Sequence, residues 1–288
     1  MVQKILLRTS KHKILLFLFK FAVNIYFCRM DIYLIILISF VALCASLLTF
    51  FSGFGLGTIL SPFLAIFFPI EVAIALTGIV HLLNNFFKII LVGKNINWKI
   101  GLKFAITAMI GAYFGAELLT RYSDINLYSY SLNGKTFTVT LIKLIISFLI
   151  IGFSFFEILP SLKKIQFSEN KSYIGGLIIG FFGGFSGNQG ALRSAFLIRY
   201  NLTKQSFIAT GVLIACFIDI TRLSVYFKRM EEINISENLP LLISAILSAF
   251  VGAYFGSKML KKVTLIFVQR IVTSMVLILA ILIGFGIL

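Results

Sequence analysis

Three groups of residues in this chain have types and spacings that could do chemistry. The first is Ser186-Gly187-Asn188-Gln189-Gly190-Ala191-Leu192-Arg193, where glycines, an amide pair and an arginine interrupt an apolar run. The second is Ser52-Gly53-Phe54-Gly55-Leu56-Gly57-Thr58, a few residues ahead of Pro62. The third is a set of polar residues inside otherwise apolar segments: His81, Asn84, Asn85 and Lys88, then Asp219 and Arg222. Each glycine break leads into a short apolar segment that reads as a helix starting at Thr58 or Ala191. A helix N-terminus has four N–H groups without intrahelical partners and carries roughly half a positive charge. Glycines ahead of it let an anion approach the backbone with no Cβ in the way. The chemistry this supports is capture of a small anion by Gly53, Gly55, Gly57 and Thr58 on one side and Ser186–Gly190 on the other. Close helix packing is the competing use of the same glycines.

Arg193 falls about three residues into the second short helix, where an arginine facing lipid would cost at least ~2.5 kcal/mol. It can bind a substrate oxyanion, pair with Asp219, or snorkel to an interface. Asn188 and Gln189 can donate to the same anion or satisfy backbone freed by the break. Spacings of three, four and seven put His81, Asn84 or Asn85, and Lys88 on one helical face, which should point inward. His81 titrates near neutrality when unperturbed, so it suits proton coupling as well as plain packing. Asp219 reads as the partner of Arg193 or Arg222, with Arg222 near the outer interface. Glu117 and Glu157 lie near span ends and receive no role.

The elements that must position these groups are membrane spans. Of 288 residues, 59% are hydrophobic and 12% charged, with a mean hydropathy of +1.03. Soluble domains carry about 25% charged residues, so the chain is a polytopic, all-α membrane protein. Its net charge of +16, from 26 Lys and Arg against 10 Asp and Glu, is topology signal rather than a nucleic-acid footprint. Cys28, Cys44 and Cys216 all lie in apolar runs, without metal-ligand spacing or a sign of disulfides. No hydrolase triad, nucleotide loop, CxxC pair or haem motif is present, so no cofactor, nucleotide-driven transport or enzyme chemistry is expected.

Residues 1–29 are basic and apolar, either an N-terminal extension or an extra span. Residues 30–159 form a first repeat: a span over 32–51, a short helix over 58–68, spans over 71–92 and 99–119, a polar loop over 120–138, and a span over 139–159. A basic linker covers 160–172. A second repeat, 173–288, has segments at 173–185, 191–200, 204–227, 239–260 and 265–288. The duplication is literal in places. Gly111-Ala-Tyr-Phe-Gly115 recurs as Gly252-Ala-Tyr-Phe-Gly256, Ser52-Gly53 as Ser186-Gly187, and Thr77-Gly78 as Thr210-Gly211. Positive charge sets the orientation. Lys163, Lys164 and Lys171, the 199–204 segment and the 258–262 segment belong on the cytoplasmic side, with Lys94 and Lys99. Residues 173–200 must then enter and return, yet two full spans would need roughly 20 residues each. The frame is two inverted repeats, each a broken, re-entrant helical hairpin plus three transmembrane helices, with its site near the midplane.

On these residues the chain from Met30 onward resembles the TauE/SafE sulfite exporter family. Gly53, Gly55, Gly57 and Pro62 match that family's glycine cluster and proline in the first half; Gly183, Gly184, Gly187 and Gly190 match in the second. The helices around Thr77 and Thr210 and the paired Gly-Ala-Tyr-Phe-Gly also fit. The second-half proline is absent, Ala195 standing near its place. The resemblance implies export of sulfite, sulfonates or other small sulfur-containing or organic anions across a bacterial cytoplasmic membrane, coupled to protons. It implies a small anionic substrate and a lipid environment and is compatible with a homo-oligomer. A channel-like anion pore and a non-transporting assembly partner are the alternatives.

Overall fold

The computed structural model describes residues 32–50, 55–132, 134–158, 172–229, 238–259 and 265–288. Ser52, Gly53, residues 1–29, most of the basic linker and the 230–237 segment lie outside the described residues. Helix α1 is Ile32–Phe50. Then come α2 (Leu56–Leu64), α3 (Ile70–Val92), α4 (Trp98–Arg121), β1 (Asn126–Leu132), β2 (Lys135–Thr140) and α5 (Leu141–Ile158). The remainder is α6 (Ser172–Ser186), α7 (Gly190–Leu197), α8 (Lys204–Arg229), α9 (Leu239–Met259) and α10 (Leu265–Gly284). Among the described residues, five helices are long and apolar enough to cross a membrane: α1, α3, α4, α8 and α9.

Local chemistry accounts for the helix ends. Pro69 precedes α3 with extended ψ and stops the turn that follows α2, while Glu71 sits in the first turn of α3, where a negative charge suits the helix dipole. Asn97 caps α4 by accepting from the Ile100 N–H at 3.1 Å. Pro62 lies inside α2, where its ring leaves Thr58 without the usual backbone donor four residues on, and α2 ends two residues later.

Glycine decides how the helices meet. A Cβ at Gly180 or Gly184 of α6 would strike the carbonyls of Ala108 and Ala112 on α4, and one at Gly111 or Gly115 of α4 would strike those of Leu177 and Phe181 on α6. The second Gly-Ala-Tyr-Phe-Gly does the same job elsewhere. A Cβ at Gly252 of α9 would meet the Leu43 carbonyl in the middle of α1, and one at Gly256 would sit 2.9 Å from the Phe50 Cβ at its end. The duplicated pentapeptide is thus a duplicated backbone-to-backbone contact, each copy against the helix that leads into the other half's break. Small residues permit such approach between membrane helices. Gly184, a family-type glycine by sequence, therefore serves packing. Outward faces carry Phe40, Ile90, Ile106, Phe114 and Phe148, all exposed, as a lipid-facing surface requires.

Residues 120–138 depart from the expected loop. Residues 126–140 fold into an antiparallel hairpin pairing Leu132 with Lys135 and Tyr130 with Phe137. Gly134, at φ +75°, takes the left-handed turn position. The Tyr130 hydroxyl donates to the Phe285 carbonyl at 2.8 Å, tying the hairpin to the C-terminal residues.

Candidate anion site

Helices α3 and α8 pack together and carry a buried ionic cluster. Asp219 Oδ2 lies 2.6 Å from His81 Nδ1 and accepts from Asn85 Nδ2 at 3.3 Å. Asp219 Oδ1 accepts from Arg222 Nε at 2.9 Å, one turn along the same helix. Asp219 and Arg222 are completely buried and His81 nearly so. A carboxylate withdrawn from water persists only with such a full set of partners. Of the two partners expected for Asp219, Arg222 is the one in contact, and Arg222, expected near the outer interface, is fully buried among helices. The physical reason is Gly78: the position its Cβ would take is 3.3 Å from the Arg222 guanidinium carbon, so the guanidinium has space to lie across α3. Arg222 also donates to the Gly183 carbonyl at 3.5 Å, and Tyr226 holds the Gly184 carbonyl.

Beside this cluster is a cavity of about 30 Å³ whose polar wall is Thr49, His81, Asn85, Lys88, Arg193 and Ser194. One water takes about 10–15 Å³ on this measure, so there is room for a few heavy atoms. Lys88 is 5% exposed and Arg193 9%, and among the described residues neither has a carboxylate within ion-pair distance. The Lys88 ammonium is 5.6 Å from the Phe50 ring centroid. Arg193 lies across Gly211, its Nε 3.1 Å from where a Cβ there would be, and its Nη1 has no hydrogen-bond partner. Two buried cations therefore face one small cavity that no carboxylate lines.

The two glycine breaks meet directly. A Cβ on Gly57 would come within 3.0 Å of the Gly187 carbonyl oxygen, and Gly187 itself holds φ +75°, which favours glycine. The Gly55 Cβ position is 3.6 Å from His81 Nε2, so the start of α2 abuts the ionic cluster. Gly190 opens α7. Thr58 is buried, and its N–H turns back to the Gly55 carbonyl at 3.0 Å. Ser186 Oγ donates to the Phe182 carbonyl at 3.0 Å and accepts from the Asn188 N–H at 3.3 Å, so it repairs broken backbone. Both amide ends of Asn188 and of Gln189 are buried without partners; leaving such a group unmet costs ~1–3 kcal/mol.

The polar face of α3 divides. Asn85 joins His81 and Lys88 at the cavity, whereas Asn84 pairs with Ser46 of α1, donating to its hydroxyl at 3.0 Å. The spacing left Asn84 and Asn85 as alternatives, and tertiary packing selects Asn85. Thr49, Phe50 and Ser194 also line the cavity, and sequence reasoning passed over them. Ser194 could have been found from its place next to Arg193. Cys216 is buried, and Cys44 is partly so, both as free thiols.

A sequence model of the family described as sulfite exporter TauE/SafE matches residues 38–283, which include every described residue of the cavity and the ionic cluster. The chain belongs to the sulfite exporter TauE/SafE family. This is a family of membrane transporters and not of enzymes, so the chain is a multi-pass membrane protein that handles a small anionic substrate. No match to this TauE/SafE chain was found among curated proteins or among solved structures.

Proposed function

We propose that this protein is a secondary transporter that exports small anions, such as sulfite, sulfonates or other sulfur-containing or organic anions, across a bacterial cytoplasmic membrane. The anion sits between Lys88 and Arg193, beside the meeting point of the two glycine breaks. One observation carries this reading: two buried basic side chains, Lys88 and Arg193, line a single cavity, and among the described residues neither has a carboxylate within ion-pair distance. An unpaired buried charge is strongly unfavourable, so the site is most stable when an anion supplies the missing charge. Counting Arg222, three basic side chains share this interior with one carboxylate, Asp219.

The proposed frame is two inverted repeats, residues 30–159 and 173–288, joined by a cytoplasmic linker over 160–172, with residues 1–29 ahead of them. Residues 32–64 and 172–200 act as the re-entrant hairpins, entering from opposite faces and bringing their short helices together at the midplane. The glycine contact between Gly57 and Gly187 supports that arrangement. Proton coupling runs through His81, whose two nitrogens lie towards Asp219 and towards Gly55.

The test is flux in proteoliposomes with a panel of sulfite, sulfate, sulfonates and carboxylates, with and without an imposed pH gradient. Arg193→Ala and Lys88→Met are expected to lose most flux of the preferred anion while remaining folded. Near-normal flux in both variants would remove the binding role.

A further inference from the structure

The junction of the two breaks holds a second set of polar atoms that the Lys88–Arg193 cavity does not use. The Thr77 hydroxyl and all four amide atoms of Asn188 and Gln189 are buried without hydrogen-bond partners, beside Arg222, whose Nη2 is 2.9 Å from Asp219 Oδ1. They are gathered in one place. Gln189 and Arg222 both lie against Gly183: its carbonyl accepts from Arg222, and its Cβ position is 3.6 Å from the Gln189 amide carbon. The Gly187 Cβ position is 3.0 Å from Arg222 Nη1, and Asn188 follows it in the chain. Thr77 lies beside Gly57, which touches the Gly187 carbonyl. Buried polar groups in folded proteins are almost always satisfied by protein, water or ligand.

The repeat supplies an independent observation. Thr77-Gly78 and Thr210-Gly211 are equivalent pairs, and a guanidinium lies across each glycine: Arg222 on Gly78 and Arg193 on Gly211. Each Thr-Gly pair thus carries a guanidinium, brought by different elements: Arg222 from α8 and Arg193 from α7, the latter at the cavity.

We propose that the junction is a second anion station, formed by Arg222, Thr77, Asn188 and Gln189, so that one chain binds two anions in series. This rests on the transport reading above. The donor set identifies the ligand class. Lys88 and Arg193 are donors only and unneutralised, which suits a fully deprotonated oxyanion. At the junction Asp219 already offsets the Arg222 charge, and the amide carbonyls need a donor. That station suits a singly charged oxyanion that retains one O–H, such as hydrogen sulfite.

The experiment is equilibrium dialysis of radiolabelled sulfite against the purified full chain near neutral pH. Wild type is expected to bind two equivalents. The Thr77→Val, Gln189→Leu double variant is expected to bind one, and that one is weakened at least tenfold by Lys88→Met. If the leucine variant does not fold, Gln189→Glu, of the same size, should weaken one equivalent at least tenfold by repelling the anion. One equivalent in wild type, sensitive to Lys88 and Arg193 but not to Gln189, overturns the second station and leaves the transport reading intact. Two equivalents insensitive to Gln189 overturn it also. Binding indifferent to Lys88 and Arg193 removes the cavity reading instead, and no sulfite binding at all overturns both.

Discussion

Arg222 and Arg193 are two answers to the same local geometry. Each lies across the glycine of a Thr-Gly pair, and each is at least nine-tenths buried. Arg222 has a carboxylate from its own helix, with Nε donating to Asp219 at 2.9 Å. Arg193 has no carboxylate within ion-pair distance among the described residues, and lines a small cavity with Lys88. Each Thr-Gly pair leaves room for a guanidinium, and the neighbour decides its use. Arg222 has its counter-ion inside the fold, whereas on the transport reading proposed above the charge of Arg193 is met by a ligand. Buried arginine at bilayer depth is therefore informative only once its partner is known.

The largest test of this contrast is to strip Arg222 of its partner. Asp219→Ala leaves Arg222 buried and uncompensated, and removes the acceptor of His81 and Asn85 as well. Loss of one member of a buried pair costs about 3–5 kcal/mol, so the variant should unfold at a much lower temperature in detergent or fail to accumulate. Asp219→Leu combined with Arg222→Leu should recover much of that stability. If Asp219→Ala melts like wild type, the assignment of Arg222 to the fold is wrong.

A second test concerns the framework that sets both slots. Gly184→Ala would drive a methyl into the Ala112 carbonyl, whereas a Cβ at Gly152 of α5 has nothing within 4 Å. Overpacking a tight contact costs roughly 1–3 kcal/mol, while Gly→Ala in an open helical position gains up to ~1 kcal/mol. Thermal midpoints of the two variants should move in opposite directions. Equal shifts would mean that the α4–α6 contact yields more readily than its geometry implies.

Arg193 should behave in the opposite sense to Arg222. Arg193→Ala removes a buried charge that has no carboxylate, so stability should be held or raised, while anion flux falls at least tenfold, a difference of about 1.4 kcal/mol. Flux and melting measured on the same preparation separate the two arginines. A variant that loses stability and flux in proportion would place Arg193 with the fold.

Much of this contrast was legible in the sequence, though not its assignment. The glycine breaks, the inward face of α3 and the Thr-Gly pairs could be read because glycine and charge are conspicuous in apolar runs. The choice of Arg222 over Arg193 as partner for Asp219 could not. Helical spacing brings Asp219 and Arg222 within one turn, but only packing on Gly78 keeps that arginine inside and away from water. Selection of Asn85 at the cavity likewise depends on Ser46 of α1 taking Asn84. The hairpin over 126–140 did carry a signal, Asn-Gly between alternating Tyr128, Tyr130, Phe137 and Val139, masked by the polar composition of a loop between spans.

The smallest expected difference lies in the threonines beside the two slots. Thr210 accepts from the Asn97 N–H at 3.0 Å, fixing the residue that caps α4. Thr77 is its counterpart, and its hydroxyl has no partner. Thr210→Val would leave a partly buried donor unmet, at ~1 kcal/mol, and should lower the melting temperature slightly. Thr77→Val removes a hydroxyl that already lacks a partner, so stability should be unchanged or better. Should both variants lose stability equally, Thr77 has a structural bond in the membrane, and its repeat-related position serves the fold just as Thr210 does. If only Thr210→Val is affected, the hydroxyl at Thr77 is retained for something other than folding, which is what a ligand-binding junction requires.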